Sequence, residues 1–288
     1  MSNWRLSWHH VKLGIDSLWQ QGITGRGVTV AVLDTGMARP PGLDNETFEV
    51  LDATGRAIAA YDPDGHGTYC ASVIASYLGG ALGIAPEAKI VSFRVLQTGN
   101  DAADVETALT YILQNRADVD VVSCSFNVGR ATDTLRAAVK GLVNTGKVVV
   151  AAAGDSAAQP AEFPEQTLDT ITVAAVDQQS LPLVGAQLGP WIDLSAPGRD
   201  LPAVAPGVNQ VVLFSESSAA TAVVSGVAAL ALSTQMDAAS RASVGRGLEG
   251  LLRMTASAVA GVNPNAIGAG VVNPRALIQK IVGNVFLV

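Results

Sequence analysis

Cysteine is nearly absent from this chain. Two cysteines in 288 residues, Cys70 and Cys124, supply neither a disulfide framework nor, by themselves, a zinc site. Both lie in segments expected to be buried, so they read as packed thiols, compatible with a reducing, cytoplasmic setting; a processed secreted form is the alternative. Positive charge is also scarce. Lys and Arg number 18 against 25 Asp and Glu, and the resulting net charge of −7 argues against nucleic acid and anionic membranes as partners. No basic segment followed by an apolar one opens the chain, as a secretory signal would. Nor does any apolar run reach the ~20 residues that a membrane helix needs. The longest, residues 219–232, is broken by Thr221, Ser225 and Gly226 and reads as a buried core helix. Histidine occurs only three times, which narrows acid–base chemistry near neutral pH to His9, His10 and His66.

What remains is apolar and regularly punctuated. Hydrophobic residues make up 49% of the chain, enough to bury a large core without a second domain. Residues 28–34, 89–96, 119–126, 147–153 and 170–176 are β-rich runs of the kind buried on both faces. Between them, 101–115 and 133–144 place apolar residues at helical spacing, as in Leu135, Ala138, Val139, Leu142 and Val143. Alternation of this kind implies βαβ units. The fold class is therefore α/β, a three-layer parallel sheet with helices on both faces, and residues 1–288 are expected to form one domain. Working residues of such sheets gather at the carboxyl ends of strands, where Asp34, Ser125 and Asp155 fall.

Three short segments carry candidate chemistry. Asp34 closes an apolar run and opens the turn Thr35-Gly36; His66 lies in Asp64-Gly65-His66-Gly67-Thr68; Ser218 lies in Glu216-Ser217-Ser218-Ala219-Ala220 at the head of the long apolar helix. A serine hydroxyl is a weak nucleophile at neutral pH and needs a base, which histidine provides, while a carboxylate can hold the imidazole tautomer and stabilise its cation. His9 and His10, adjacent in the amino-terminal segment, are expected to be structural. The chain order acid, base, nucleophile is that of the subtilisin type of triad.

Gly27 to Gly36, Gly65-His66-Gly67-Thr68, Gly83-Ile84-Ala85-Pro86, Val148 to Gly154 and Ser195-Ala196-Pro197-Gly198 resemble, in order, the motifs of the subtilisin-like serine proteases, and Gly268 to Asn273 is similar to that family's closing segment. The resemblance implies a subtilisin-like peptidase domain that needs no cofactor, acts on peptide or protein substrates, and uses Asp34, His66 and Ser218 as its triad. The usual nucleophile signature, Gly-Thr-Ser-Met-Ala with Pro two residues on, is altered: Glu216, Ser217, Ala219 and Ala222 stand for Gly, Thr, Met and Pro. Ser215 and Ser217 are the competing serines. Asp155 takes the place of the asparagine that donates to the oxyanion beside the Ser218 N–H, and only as a protonated carboxyl could it donate. Losing one such donor costs ~2.7–4 kcal/mol of transition-state stabilisation.

The resemblance also implies where substrate lies. An extended peptide would run beside Ser125, Phe126 and Asn127, with its P1 side chain, the one before the cleaved bond, entering between that segment and Ala152, Ala153 and Gly154. Asn127 replaces a usual glycine. Glu162, before Phe163-Pro164, stands near the pocket floor, where it would favour Lys or Arg at P1; a solvated glutamate is the alternative. The family's strong calcium loop has no counterpart in the short segment 76–83, which lacks carboxylate ligands, so no metal is expected there. Three readings stay open: a selective processing endopeptidase, a pseudoprotease that binds an extended peptide without cutting it, and acyl transfer to an amine.

Overall fold

The computed structural model describes residues 5–39, 48–156, 169–207 and 210–283. Along the chain run α1 (Trp8–Leu13), α2 (Ile15–Gln20), β1 (Thr29–Asp34), β2 (Glu49–Asp52), α3 (His66–Ala75), β3 (Tyr77–Leu78), β4 (Ala81–Leu82), β5 (Lys89–Arg94), α4 (Asp101–Asn115) and β6 (Val121–Cys124). There follow α5 (Asp133–Asn144), β7 (Val148–Ala152), β8 (Ile171–Val176), β9 (Leu194–Pro197), β10 (Leu201–Val204), β11 (Val211–Phe214), α6 (Glu216–Leu232), α7 (Ala238–Thr255), α8 (Pro264–Ile267) and α9 (Pro274–Val282). Seven strands form a parallel sheet in the order β2-β5-β1-β6-β7-β8-β9. The α/β expectation is met, and the two helices read from their spacing, α4 and α5, span the expected residues.

Alternation within β1 explains the layers. Val30 and Val32 face a core shared with α3 and α6, whereas Ala31 and Leu33 face a second core formed with α4 and α5. Because a strand presents successive side chains to opposite faces, a run that is apolar at every position must be covered on both. Helix α6 is buried on nearly its whole circumference, from Ala219 to Leu232, which explains its lack of a polar face. It packs on α3 and on β6 to β9. Among the described residues, no helix is long and apolar enough to cross a membrane.

Sheet order creates the site. β1 lies between β5 and β6, so the chain leaves β1 toward one edge of the sheet and later returns to its other side. Loops diverge at such a switch point and open a crevice at the carboxyl ends of the strands. β6 is shorter than the apolar run that contains it, because Ser125, Phe126 and Asn127 leave the ladder there. A segment beyond β6 thereby becomes an edge facing the crevice.

Candidate active site

Asp34 is the last residue of β1 and is fully buried. One of its oxygens accepts the N–H of Thr35 at 2.7 Å, and the two lie 2.8 and 3.0 Å from His66 Nδ1. His66 is the first residue of α3. Its approach to β1 depends on Gly67, where a β-carbon would lie 2.1 Å from the Gly36 carbonyl oxygen and 3.0 Å from Asp34 Cβ. Only glycine lets helix and strand end come this close, which gives the Gly-His-Gly pattern its physical reason.

Asp62 organises the loop that delivers the histidine. Its carboxylate accepts from the Thr35 hydroxyl (2.8 Å), the Gly65 N–H (2.9 Å), the Thr68 N–H (2.8 Å) and the Thr68 hydroxyl (2.6 Å). One buried carboxylate thus ties the turn after Asp34 to both sides of His66. Phe214, at the end of β11, covers the imidazole edge-on with ring centroids 5.5 Å apart and also touches the Tyr69 ring. Neither Asp62 nor Phe214 emerges from sequence reasoning. The clustering of Thr35, Asp62, Gly65 and Thr68 in two polar turns was the available signal for the first; nothing local marks the second.

Charge at His66 follows from these neighbours. Its pKa is raised, most of all by an ionised Cys70 sulfur, then, against the opposing cost of burial, by the Asp34 carboxylate and its hydrogen bond. Burial, however, pushes the Cys70 thiol up, so near neutral pH the sulfur is uncharged and the Asp34 carboxylate is the neighbour that favours a charged ring. Cys70 Sγ lies 3.9 Å from His66 Nδ1. Asp34, His66 and Cys70 are the one set of potential metal-ligand groups found among the described residues, and it is the acid–base pair itself plus a thiol. Both cysteines are free and buried, as expected.

The nucleophile side is arranged differently. Ser218 sits in the first turn of α6, and its hydroxyl donates to the Ser125 carbonyl at 3.2 Å while the Ser125 hydroxyl donates to the Ser218 carbonyl at 3.2 Å. Among the described residues no hydrogen bond joins Ser218 to His66. Ser215 is the residue that precedes α6, yet its side chain makes no cap; its hydroxyl instead donates to Asp200 Oδ1. The cap comes from Asp155, 62 residues away in sequence, whose two oxygens accept the Ser217 N–H (2.8 Å) and the Ser217 hydroxyl (2.6 Å). A carboxylate at a helix amino terminus is favoured by the exposed N–H groups and the helix dipole. In this arrangement Asp155 is an acceptor on both oxygens, not the donor that an oxyanion hole requires.

Glu216 adopts φ +81, a left-handed conformation rarely taken by residues with a side chain. Its N–H donates to the Gly198 carbonyl at 2.7 Å, and a β-carbon on Gly198 would lie 2.7 Å from the Glu216 carbonyl oxygen. The Ser-Ala-Pro-Gly motif therefore ends in glycine to let this strained turn dock. Asn127 is exposed, whereas Ser125, Phe126, Ala152 and Ala153 are buried in the crevice walls. Glu162 lies outside the described residues.

A parallel sheet with Asp34 and His66 paired at a switch point and Ser218 at a facing helix terminus is the subtilisin-like arrangement, and the chain spans less than two thirds of the length of the first relatives it matches. The subtilase family profile matches residues 25–270, and the chain belongs to that family. It is similar to the thermostable alkaline protease of Halalkalibacterium halodurans, 34% identical over 219 residues, which are 73% of this chain and 58% of that protein. Subtilisin BL of Lederbergia lenta is 34% identical over 217 residues, covering 73% of this chain and 78% of the relative. Among solved structures, the MycP3 protease from the type VII (ESX-3) secretion system matches with a TM-score of 0.77 at 28% identity, over 95% of this chain and 88% of that one. MycP1 with its N-terminal propeptide removed gives 0.77 at 26%, over 95% and 97%.

Proposed function

We propose that residues 1–288 act as one peptidase domain that hydrolyses peptide bonds of selected peptide or protein substrates. In this reading Asp34 orients His66, His66 takes the proton of Ser218, and the Ser218 hydroxyl attacks the scissile carbonyl. Substrate lies beside Ser125, Phe126 and Asn127, facing Ala152, Ala153 and Gly154. The observation that carries the proposal is the two-oxygen contact of buried Asp34 with His66 Nδ1, since that geometry fixes the tautomer whose other nitrogen can act as base. Narrow selectivity is supported by the altered nucleophile turn at Glu216 and by Asn127 at the cleft edge. The two buried free thiols suit a reducing compartment such as the cytoplasm.

One observation favours the pseudoprotease as a second reading: the Ser218 hydroxyl is spent on the Ser125 carbonyl and Asp155 is spent on Ser217. A fluorophosphonate probe separates the two, because it labels only an activated serine. Labelling of the parent chain, lost together with at least ~10³-fold of peptidase activity in both Ser218→Ala and His66→Ala, is the expected result, since triad members act as a unit. An unlabelled but folded parent would favour the binding protein. Undiminished labelling of Ser218→Ala would move the nucleophile elsewhere.

A further inference from the structure

We propose that Gln187 and Asn127 together shorten the P1 pocket, so that the cleft takes peptides whose P1 side chain is short, alanine or serine. The inference deepens the reading above and rests on it for the identity of the pocket. Its own basis is the space over Gly154. A β-carbon added there would lie 2.2 Å from Gln187 Oε1 and 3.5 Å from Asn127 Nδ2. The two amide groups therefore meet over this glycine, one arriving from the wall that continues β6 and the other from the segment that follows β8.

Gln187 is held in place. It is 3% exposed, and its N–H donates to the Gly154 carbonyl at 3.3 Å. A phenylalanine, leucine or lysine entering between the walls would have to displace this buried carboxamide or overpack against it. Both are unfavourable, the first because a buried polar group would lose its partners and the second because interiors near native density yield little. A methyl or hydroxymethyl group avoids both. Selectivity then arises from exclusion, with no need for a charge at the pocket floor.

Binding reads the pocket without turnover. Peptides identical except for Ala, Ser, Leu, Phe or Lys at P1 would be titrated by fluorescence anisotropy against Ser218→Ala, and kcat/KM for the same series measured on the parent. The Ala and Ser peptides are expected to bind at least ~10-fold more tightly than those with Phe or Lys. In Gln187→Gly, and separately in Asn127→Gly, the affinity for the Phe peptide relative to the Ala peptide should rise ~10-fold. Equal affinity for Ala and Phe in the parent, a preference for Lys, or an unchanged ranking in both variants would overturn the proposal. A chain that shows this ranking but resists the fluorophosphonate probe keeps the pocket and loses the peptidase reading. A labelled chain without the ranking does the reverse.

Discussion

On one side of the cleft, Asp34 and His66 stand on the end of a central strand and the start of a packed helix, tied by the four hydrogen bonds that Asp62 accepts. On the other, Ser215 to Ser218 form a turn with one left-handed glutamate, a cap borrowed from Asp155, and a Ser218 hydroxyl bonded to a backbone carbonyl. The first half is held by bonds that converge on one buried carboxylate. The second is held by contacts from separate segments, Asp155, Ser125 and Gly198. Under the proposed mechanism the serine turn is the half left to adjust, whereas Asp34 and His66 are fixed by the packed ends of β1 and α3.

Exchanging Asp155 tests this difference most strongly. In Asp155→Asn the side-chain oxygen can still accept the Ser217 N–H, and the amide nitrogen, facing the Ser217 hydroxyl through one N–H, has a second N–H to donate toward an oxyanion. We expect kcat to rise, by up to the ~10²–10³ attributed to one such donor, with KM little changed. The pH profile should then report His66, whose raised pKa means that the neutral, base-competent form gains population as pH increases, so the rate climbs toward alkaline pH. A slower Asn variant at every pH would show that the cap at Ser217 matters more than a second oxyanion donor.

The scaffold of the base half can be loosened from behind. His9 and His10 are buried, with ring centroids 4.0 Å apart, and His10 packs on Trp19. Burial, reinforced by His10, lowers the pKa of His9. Burial also takes His10 from 6.5 to about 4, although the Gly83 and Leu82 carbonyls and Asp16 favour its charged form. The N–H groups of Gly83, Ile84 and Ala85 donate in turn to the carbonyls of Ser76, Val73 and Ile74 at the end of α3. Since these folded-state pKa values are depressed, the stability they confer is complete above pH ~6.5 and is lost as pH falls toward 4, about 3 kcal/mol for His10 alone. His66 has the opposite sign, stabilising when charged and losing that contribution as pH rises through its raised pKa. Urea unfolding at pH 7 and pH 4 should show a smaller acid loss in the His9→Leu/His10→Leu chain than in the parent. Equal losses would mean that the pair is protonated without cost.

The smallest effect is expected at Glu216. A left-handed conformation costs a residue with a side chain roughly 1–2 kcal/mol, part of which glycine returns through its greater freedom when unfolded. Glu216→Gly should therefore raise stability by about 0.5–1 kcal/mol, near 2 °C in Tm. A lower Tm would show that the glutamate has a compensating contact and that the serine turn is less adaptable than its bonding suggests.

The sequence by itself determined the parallel α/β architecture, because runs apolar at every position, separated by helical spacing, admit no other covering. It also marked Asp34, His66 and Ser218 as candidates, the first two in short motifs whose glycines answer close approaches, as at Gly36 and Gly67, and the third by its place at the head of the apolar helix. β9, the β10–β11 hairpin and the short β2 were not legible: four-residue strands carry too little periodicity, and they exist because a partner supplies the ladder, β8 for β9, β5 for β2, and β10 and β11 for each other. Partnerships were decided by tertiary structure alone. That Asp155 caps a helix 62 residues away, that Phe214 covers His66, that Asp62 ties two turns together and that Gln187 reaches over Gly154 depend on which strand ends the sheet order brings side by side. Local propensity cannot encode distances between segments so far apart in the chain, and at this site those distances decide whether a carboxylate accepts or donates and whether a pocket is long or short.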